Sequence, residues 1–256
     1  LKKNTRIISE FEIKAEKEAV SGMTRIDPKL VTFIPSASGS FEAILFSQPG
    51  VSSSNELSSQ YSVRGGNFDE NLVYVNGIEV YRPFLTRSGQ QEGLSFINGD
   101  MIDKIYFSAG GFEAKYGDKL SSVLDITYRK PTKFRGSVSA GFLGASVEVE
   151  GVGPEKKFAW MLGARQKSNR YLLNQLDTRG DYTASFTDIQ TYLTYMISDV
   201  WEISYLGNLA QNNYTLIPET RETDFGTLNE ALRFTVFFDG QEVNTFKTSF
   251  NALSFK

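Results

Sequence analysis

After Lys130-Pro131, apolar and polar residues alternate with a two-residue period in runs separated by Gly, Asn and Asp. Val138, Ala140 and Phe142 share one parity, and Val147 and Val149 another beyond a turn at Gly144. Phe158, Trp160, Leu162 and Ala164 alternate with Ala159, Met161, Gly163 and Arg165. Ile189, Thr191, Leu193, Tyr195 and Ile197 oppose Gln190, Tyr192, Thr194 and Ser198. Past a tight turn at Ser198-Asp199, Trp201, Ile203, Tyr205, Gly207 and Leu209 repeat the pattern. Phe234, Val236 and Phe238 predict a further strand, and Phe246–Phe255 one more. Successive strand side chains point to opposite faces, so this period predicts strands with one apolar and one polar face. Strands of about ten residues with that alternation suit a membrane barrel, whereas soluble sandwiches alternate over about five or six. Connections alternate too: short near residues 151–157, at Ser198-Asp199 and around Asp239-Gly240, long over Gln166–Ala184 and Gln211–Thr227. Barrels of this class have short turns at one end and long loops at the other. Trp201, beside a short turn, suits an aromatic belt at a membrane interface.

The first half of the chain reads differently. Residues 6–13 alternate well enough for one leader strand, and Ser21–Pro35, with Gly22, Pro28 and Pro35 and no clean period, reads as a linker. Ser40–Gln48 is predicted to be a helix, with Ser38 or Ser40 as its cap and Glu42 in the first turn where the helix dipole favours negative charge. Phe41, Ile44 and Leu45 share one face of it, and Pro49-Gly50 stops it. A Ser-rich loop follows at Ser52–Ser59. The stretch Gln60–Tyr128 holds four short β-prone runs: Leu72–Val75, Ile78–Val80, Ile102–Phe107 and Val123–Tyr128. The first two flank Asn76-Gly77, which tolerates the positive φ angles of a tight hairpin. Between the second and third runs lies a long polar excursion, Tyr81–Asn98, and long loops in compact domains are uncommon unless they carry function.

The order of these motifs resembles the plug domain of TonB-dependent outer-membrane receptors. That family runs from an "LxxxPGV" helix to an "xxIRG" strand, a "DG" or "NG" hairpin, an "IExIEVxxGPxxxxYG" segment and a "GxINIxT" strand. Here Leu45–Val51, Ser62–Gly65, Asn76-Gly77, Met101–Tyr106 with Ala114–Gly117, and Ser122–Thr127 stand in those places. The resemblance implies a mixed α/β plug domain over residues 36–131, preceded by a leader strand and linker at 1–35. Residues 132–256 would then be the first six or seven strands of an antiparallel transmembrane β-barrel. The family closes its barrel with about 22 strands, and an open sheet edge in lipid leaves several kcal/mol of unpaired backbone groups. The sequence is therefore expected to be the N-terminal part of a longer chain.

The same resemblance implies energy-coupled uptake of a ligand across a Gram-negative outer membrane, with the plug and N-terminus on the periplasmic side. Its partners would be the inner-membrane energy-transducing protein TonB and outer-membrane lipids. The family's TonB-contacting segment lies just before the plug, where no hexapeptide of this chain matches its pattern well, so a solvated linker is the plainer reading of that stretch. Family plugs pair arginines with barrel carboxylates; Arg64 would be the plug–barrel contact here, with Glu148, Glu150 and Glu202 as candidate partners. The other reading of Arg64 is a turn residue beside Gly65-Gly66 that caps carbonyls. Tyr81, Arg82, Phe84 and Arg87 would offer stacking and charged donors to a polar ligand, or else belong to a loop packed on the barrel wall. Two other readings stand beside transport. One is a plug-and-barrel subunit of an envelope secretion or assembly complex, with a lipoprotein or similar partner; the other is a secreted β-sandwich binding module.

Composition narrows the chemistry. The 256 residues carry a net charge of −3 and no histidine or cysteine. A Ser–His–Asp centre, a Cys–His centre and a zinc site of His or Cys ligands are excluded. Gly151-Val-Gly-Pro lacks the Lys-Ser/Thr of a phosphate loop, and Asp100, Asp103, Asp118 and Asp125 follow no EF-hand pattern. No enzymatic activity, metal or cofactor is expected, and the acidic balance gives no footprint for nucleic acid. With 20 Phe and 12 Tyr, yet a mean hydropathy of −0.27, the chain suits strands that are polar on alternate positions.

Overall fold

A computed structural model describes residues 22–34, 41–53, 58–83, 94–168, 180–218, 220–227, 230–237 and 240–256. The leader strand expected at residues 6–13 lies outside them.

The N-terminal unit is built on a five-stranded sheet in the order β1-β6-β7-β4-β5. Its strands are β1 (Thr24–Ile26), β4 (Asn71–Val75), β5 (Ile78–Glu79), β6 (Ile102–Ser108) and β7 (Ser122–Tyr128); β2 (Val51–Ser52) and β3 (Ser62–Val63) form a separate small ladder. Neighbours are antiparallel except β4 and β7, which run parallel with Asn71 opposite Ser122. Asn76 and Gly77 take φ of 55° and 79°, both in the left-handed region that a two-residue primed turn requires. Helix α1 (Glu42–Phe46) buries Ile44 and Leu45 against Val63, Val75, Ile105 and Ile126, all fully enclosed. The other face of the sheet carries a smaller cluster of Leu72, Tyr116 and Val123, joined by Met23, Tyr74 and Phe112. With both faces covered, the β7 run buries nearly every position, which is why it reads as continuous rather than alternating.

Two expectations need correction here. The stretch expected as a linker contributes the edge strand β1, paired Thr24 to Phe107, and a 3₁₀ turn at Pro28–Thr32 capped by Asp27. Backbone pairing to β6, which needs no hydrophobic period, orders it. The helix is also shorter than Ser40–Gln48, and its N-cap Phe41 makes no side-chain capping bond; Ser38 and Ser40 lie outside the described residues.

The second half forms a six-stranded antiparallel sheet, here the wall, in the order β15-β12-β11-β10-β9-β8. The strands are β8 (Arg135–Gly141), β9 (Gly144–Val152), β10 (Phe158–Ser168), β11 (Gly180–Met196), β12 (Glu202–Pro218) and β15 (Glu242–Phe255). A separate hairpin, β13 (Arg221–Thr227) with β14 (Glu230–Val236), is inserted between β12 and β15. Its strands lie outside the wall, although the Phe234–Phe238 period predicts another wall strand. The register lines up outward residues in rows across the sheet. Phe158, Tyr195, Ile203 and Phe255 form the row nearest the short turns. Gln166, Thr187, Gln211 and Lys247 form a polar row farther up, and the residues between them are largely apolar. Trp201 stacks on Phe255 at 4.7 Å beside the Ser198-Asp199 turn.

The loop expected at Gln211–Thr227 is not one: β12 pairs with β15 as far as Leu216 opposite Glu242. Gln211, Asn212 and Asn213 break the alternation, and the ladder continues through them. Likewise β10 runs on to Ser168 and β11 begins at Gly180, which narrows the expected Gln166–Ala184 connection.

Candidate functional site: the seat of the plug on the wall

The inner face of the wall is the more polar parity of each strand, with Met161, Tyr192 and Leu206 joining the plug's apolar core, and it lies against the plug. Glu148 and Glu150 of β9, Lys167 of β10, Asp188 and Gln190 of β11, and Glu202 and Asn208 of β12 are all buried. Burying so many charges in one face is costly unless each finds a partner. The partners come from two stretches of the plug.

The first is the irregular segment before β6. Arg165 donates from Nη1 to the carbonyl of Ile97 (2.6 Å) and from Nη2 to that of Ser95 (2.9 Å). Asp188 holds the same guanidinium as a fork, accepting from Nε at 2.8 Å and Nη2 at 2.7 Å, and also accepts from Asn208 Nδ2 at 3.0 Å. Gln190 donates to the carbonyl of Phe96 (3.1 Å) and accepts from the Tyr128 hydroxyl (2.8 Å), which in turn accepts from the Asn98 amide (3.2 Å). Gly163 permits this approach: a Cβ there would overlap the Asn98 carboxamide and touch Met101. Main-chain groups that form no sheet ladder at this point thus find donors on the wall, as buried carbonyls must.

The second stretch is the exit from β7 into the wall. Arg129 donates to both Glu148 and Glu150, at 3.1 Å for the latter, and Lys130 reaches Glu202 at 2.6 Å. Arg135, at the start of β8, adds a contact to Glu150 at 2.9 Å. Helix α1 presents Glu42, which is 3% exposed. Burial raises its carboxyl above the ordinary 4.5, while the Ser95 hydroxyl and the charges of Lys167 and Arg165 act against the rise.

The residues singled out in the sequence fall as follows. Arg64 sits in an exposed left-handed turn, φ 50°, with its guanidinium beside Gly110 of the plug. The three carboxylates expected for it are instead engaged by Arg129, Arg135 and Lys130, because the turn aims Arg64 across the plug's own loops. Tyr81 and Arg82 line a cavity of about 550 Å³ between the plug and β15, together with Phe68, Glu79, Lys119 and Lys247. Phe84 and Arg87 lie outside the described residues. Arg129, Lys130, Arg165, Asp188 and Gln190 were not foreseen as contacts. A signal did exist for Arg165, a charge on the parity opposite Trp160 and Leu162.

Comparison with known proteins agrees with this arrangement. The family model described as the TonB-dependent receptor plug domain matches residues 32–123. No curated protein matches. Among solved structures, the siderophore receptor PirA of Acinetobacter baumannii is similar at 17% identity and a TM-score of 0.57, over 78% of this chain and 33% of that one. A variant of the ferric enterobactin receptor PfeA of Pseudomonas aeruginosa gives 18% and 0.56, over 79% and 34%. FpvA of P. aeruginosa, bound to a heterologous pyoverdine, gives 13% and 0.55, over 78% and 26%. The chain spans about a third of the length of the first two solved receptors, and its strands superpose on their plug and barrel. Residues 32–123 therefore form a plug domain of the TonB-dependent receptor type, and the strands that follow share the fold of the solved receptors.

Proposed function

We propose that the whole protein takes up a polar ligand through a plugged barrel, driven by the inner-membrane protein TonB acting on the segment that precedes the plug. One observation carries this reading. The apolar core of the plug runs on to Met161, Tyr192 and Leu206 of the wall, and around them the seat is made of polar and charged side chains. Such contacts exchange with water at little net cost, whereas apolar surface does not. A plug held in this way can move without the barrel coming apart. The plug over residues 36–131 and the wall from 132 onward are then separable units, with the N-terminus on the periplasmic side.

The ligand's first contacts are assigned to the cavity lined by Tyr81 and Arg82, with Phe84 and Arg87 in the chain just beyond. Aromatic faces and charges of both signs suit a polar solute, and the scheme makes and breaks no covalent bond. The test is uptake by cells with and without the gene, and with TonB removed, across single nutrient sources. Uptake lost in both backgrounds supports the proposal. Normal growth on every source, with recovery of the protein in a stable envelope complex, would favour a scaffold instead.

A further inference from the structure

Three consecutive plug carbonyls, at Ser95, Phe96 and Ile97, each accept a hydrogen bond from a side chain of the wall. A grip on main chain is blind to the side chains it passes, so it belongs to the wall's design rather than to the plug's. We propose that Arg165, oriented by Asp188, is a positioning residue that ties the first helix of the plug to the segment beside the cavity and sets how firmly both are seated.

The geometry is specific to arginine. Four hydrogen bonds leave the guanidinium, two to the Asp188 carboxylate and two to carbonyls two residues apart. A planar fork spans those four acceptors; a lysine ammonium is a point charge and cannot. Asp188 is 1% exposed and is further fixed by Asn208, so the fork is aimed before the plug arrives. On the plug side the clamp reaches two elements distant in sequence. Phe41, the N-cap of α1, packs against Gly99 of the clamped segment, where an added Cβ would lie 3.3 Å from its own, and Phe41 and Ile44 share one buried apolar cluster with Phe96 and Ile97. The Phe96 amide donates to the Pro83 carbonyl at 2.7 Å, directly after Tyr81 and Arg82. Cavity edge and first helix thus both abut the segment that the guanidinium clamps. The exit joint at Arg129 and Lys130 uses different carboxylates and is independent of it.

The experiment is segment-resolved hydrogen exchange on the full-length receptor in lipid nanodiscs, with potassium conductance in planar bilayers beside it. Arg165→Met combined with Asp188→Leu removes both charges at once, so that no buried ion is left alone to unfold the barrel. Exchange should rise together at residues 41–46 and 94–101, by at least about tenfold, as expected when hydrogen bonds to a charged group are lost. Residues 122–130 should keep their protection, and conductance should increase. Arg165→Lys should give a smaller rise in the same two segments. The proposal is overturned if neither segment changes, if 94–101 loosens without 41–46, or if 122–130 and the wall strands loosen equally. It rests on the seating of the plug, not on uptake: a protein that transports nothing would still show the paired rise.

Discussion

In β7 of the plug, Val123, Leu124 and Ile126 are fully enclosed; in β12 of the wall the enclosed residues are mostly polar, Glu202, Ser204, Asn208 and Asn212 beside Leu206 and Ala210, while Leu209 is 58% exposed. Both strands come from one chain and obey one backbone geometry, yet burial selects opposite chemistries. The plug hides apolar surface from water around its own core. The wall turns its apolar parity outward to lipid and its polar parity inward to the plug. An apolar residue in the plug is held by its neighbours, whereas one on the outer wall is held by its solvent. Most polar groups at the seat are satisfied by each other, which makes the seat specific without making it strong.

The contrast can be broken from either side. The largest effect is expected from Leu124→Ala, a cavity in a packed core that costs about 2–5 kcal/mol. The loss should stay within the plug, read as faster exchange over residues 60–128 while the barrel keeps its heat-modifiable migration on gels. Next comes Leu209→Arg, a charge on the lipid face, at up to about 2–4 kcal/mol, against about 0–1 for Gln211→Arg at the edge of the lipid band. Urea titration in vesicles checks the difference, and equal costs would mean that the outward rows do not mark the bilayer. Lys130→Ala should cost only about 0–1 kcal/mol, since its side chain is 58% exposed, and 1 M salt should erase the difference.

The smallest change is in a slope. Burial raises the Glu42 carboxyl above its ordinary 4.5, so the folded plug holds that proton more tightly than the unfolded chain does. Below pH 4.5 both states are protonated and no penalty arises; as pH rises through the raised value, ionising Glu42 costs stability. Protection of α1 should therefore decline from pH 4.5 to pH 8 in the parent protein and decline less in Glu42→Gln. Identical slopes would show that Glu42 is ionised in the folded state at no cost.

Much of the architecture was legible because two periods differ. The alternation at Phe158–Arg165 and Trp201–Leu209 declared wall strands, and Asn76-Gly77 declared the hairpin. The parallel pairing of β4 with β7 was not legible from period, since parallel partners lie far apart and local residues do not encode them. Residues 211–218 were missed as strand because Gln211, Asn212 and Asn213 interrupt the alternation while hydrogen bonding carries the ladder on through them. Arg64 and Arg129 illustrate the harder limit. Both are arginines at the end of a plug strand, and only the left-handed turn at Arg64 decides that one faces the plug's loops while the other faces the wall.

The length of the wall strands has a consequence of its own. β11 and β12 each run 17 residues. At about 3.3 Å per residue and a tilt near 40°, such a strand rises roughly 40–45 Å, against an apolar band about 25 Å tall. The excess stands clear of the bilayer as paired sheet, not as loop. A hydrogen-bonded ladder keeps its spacing, so this margin of the wall is stiff where a loop would give way.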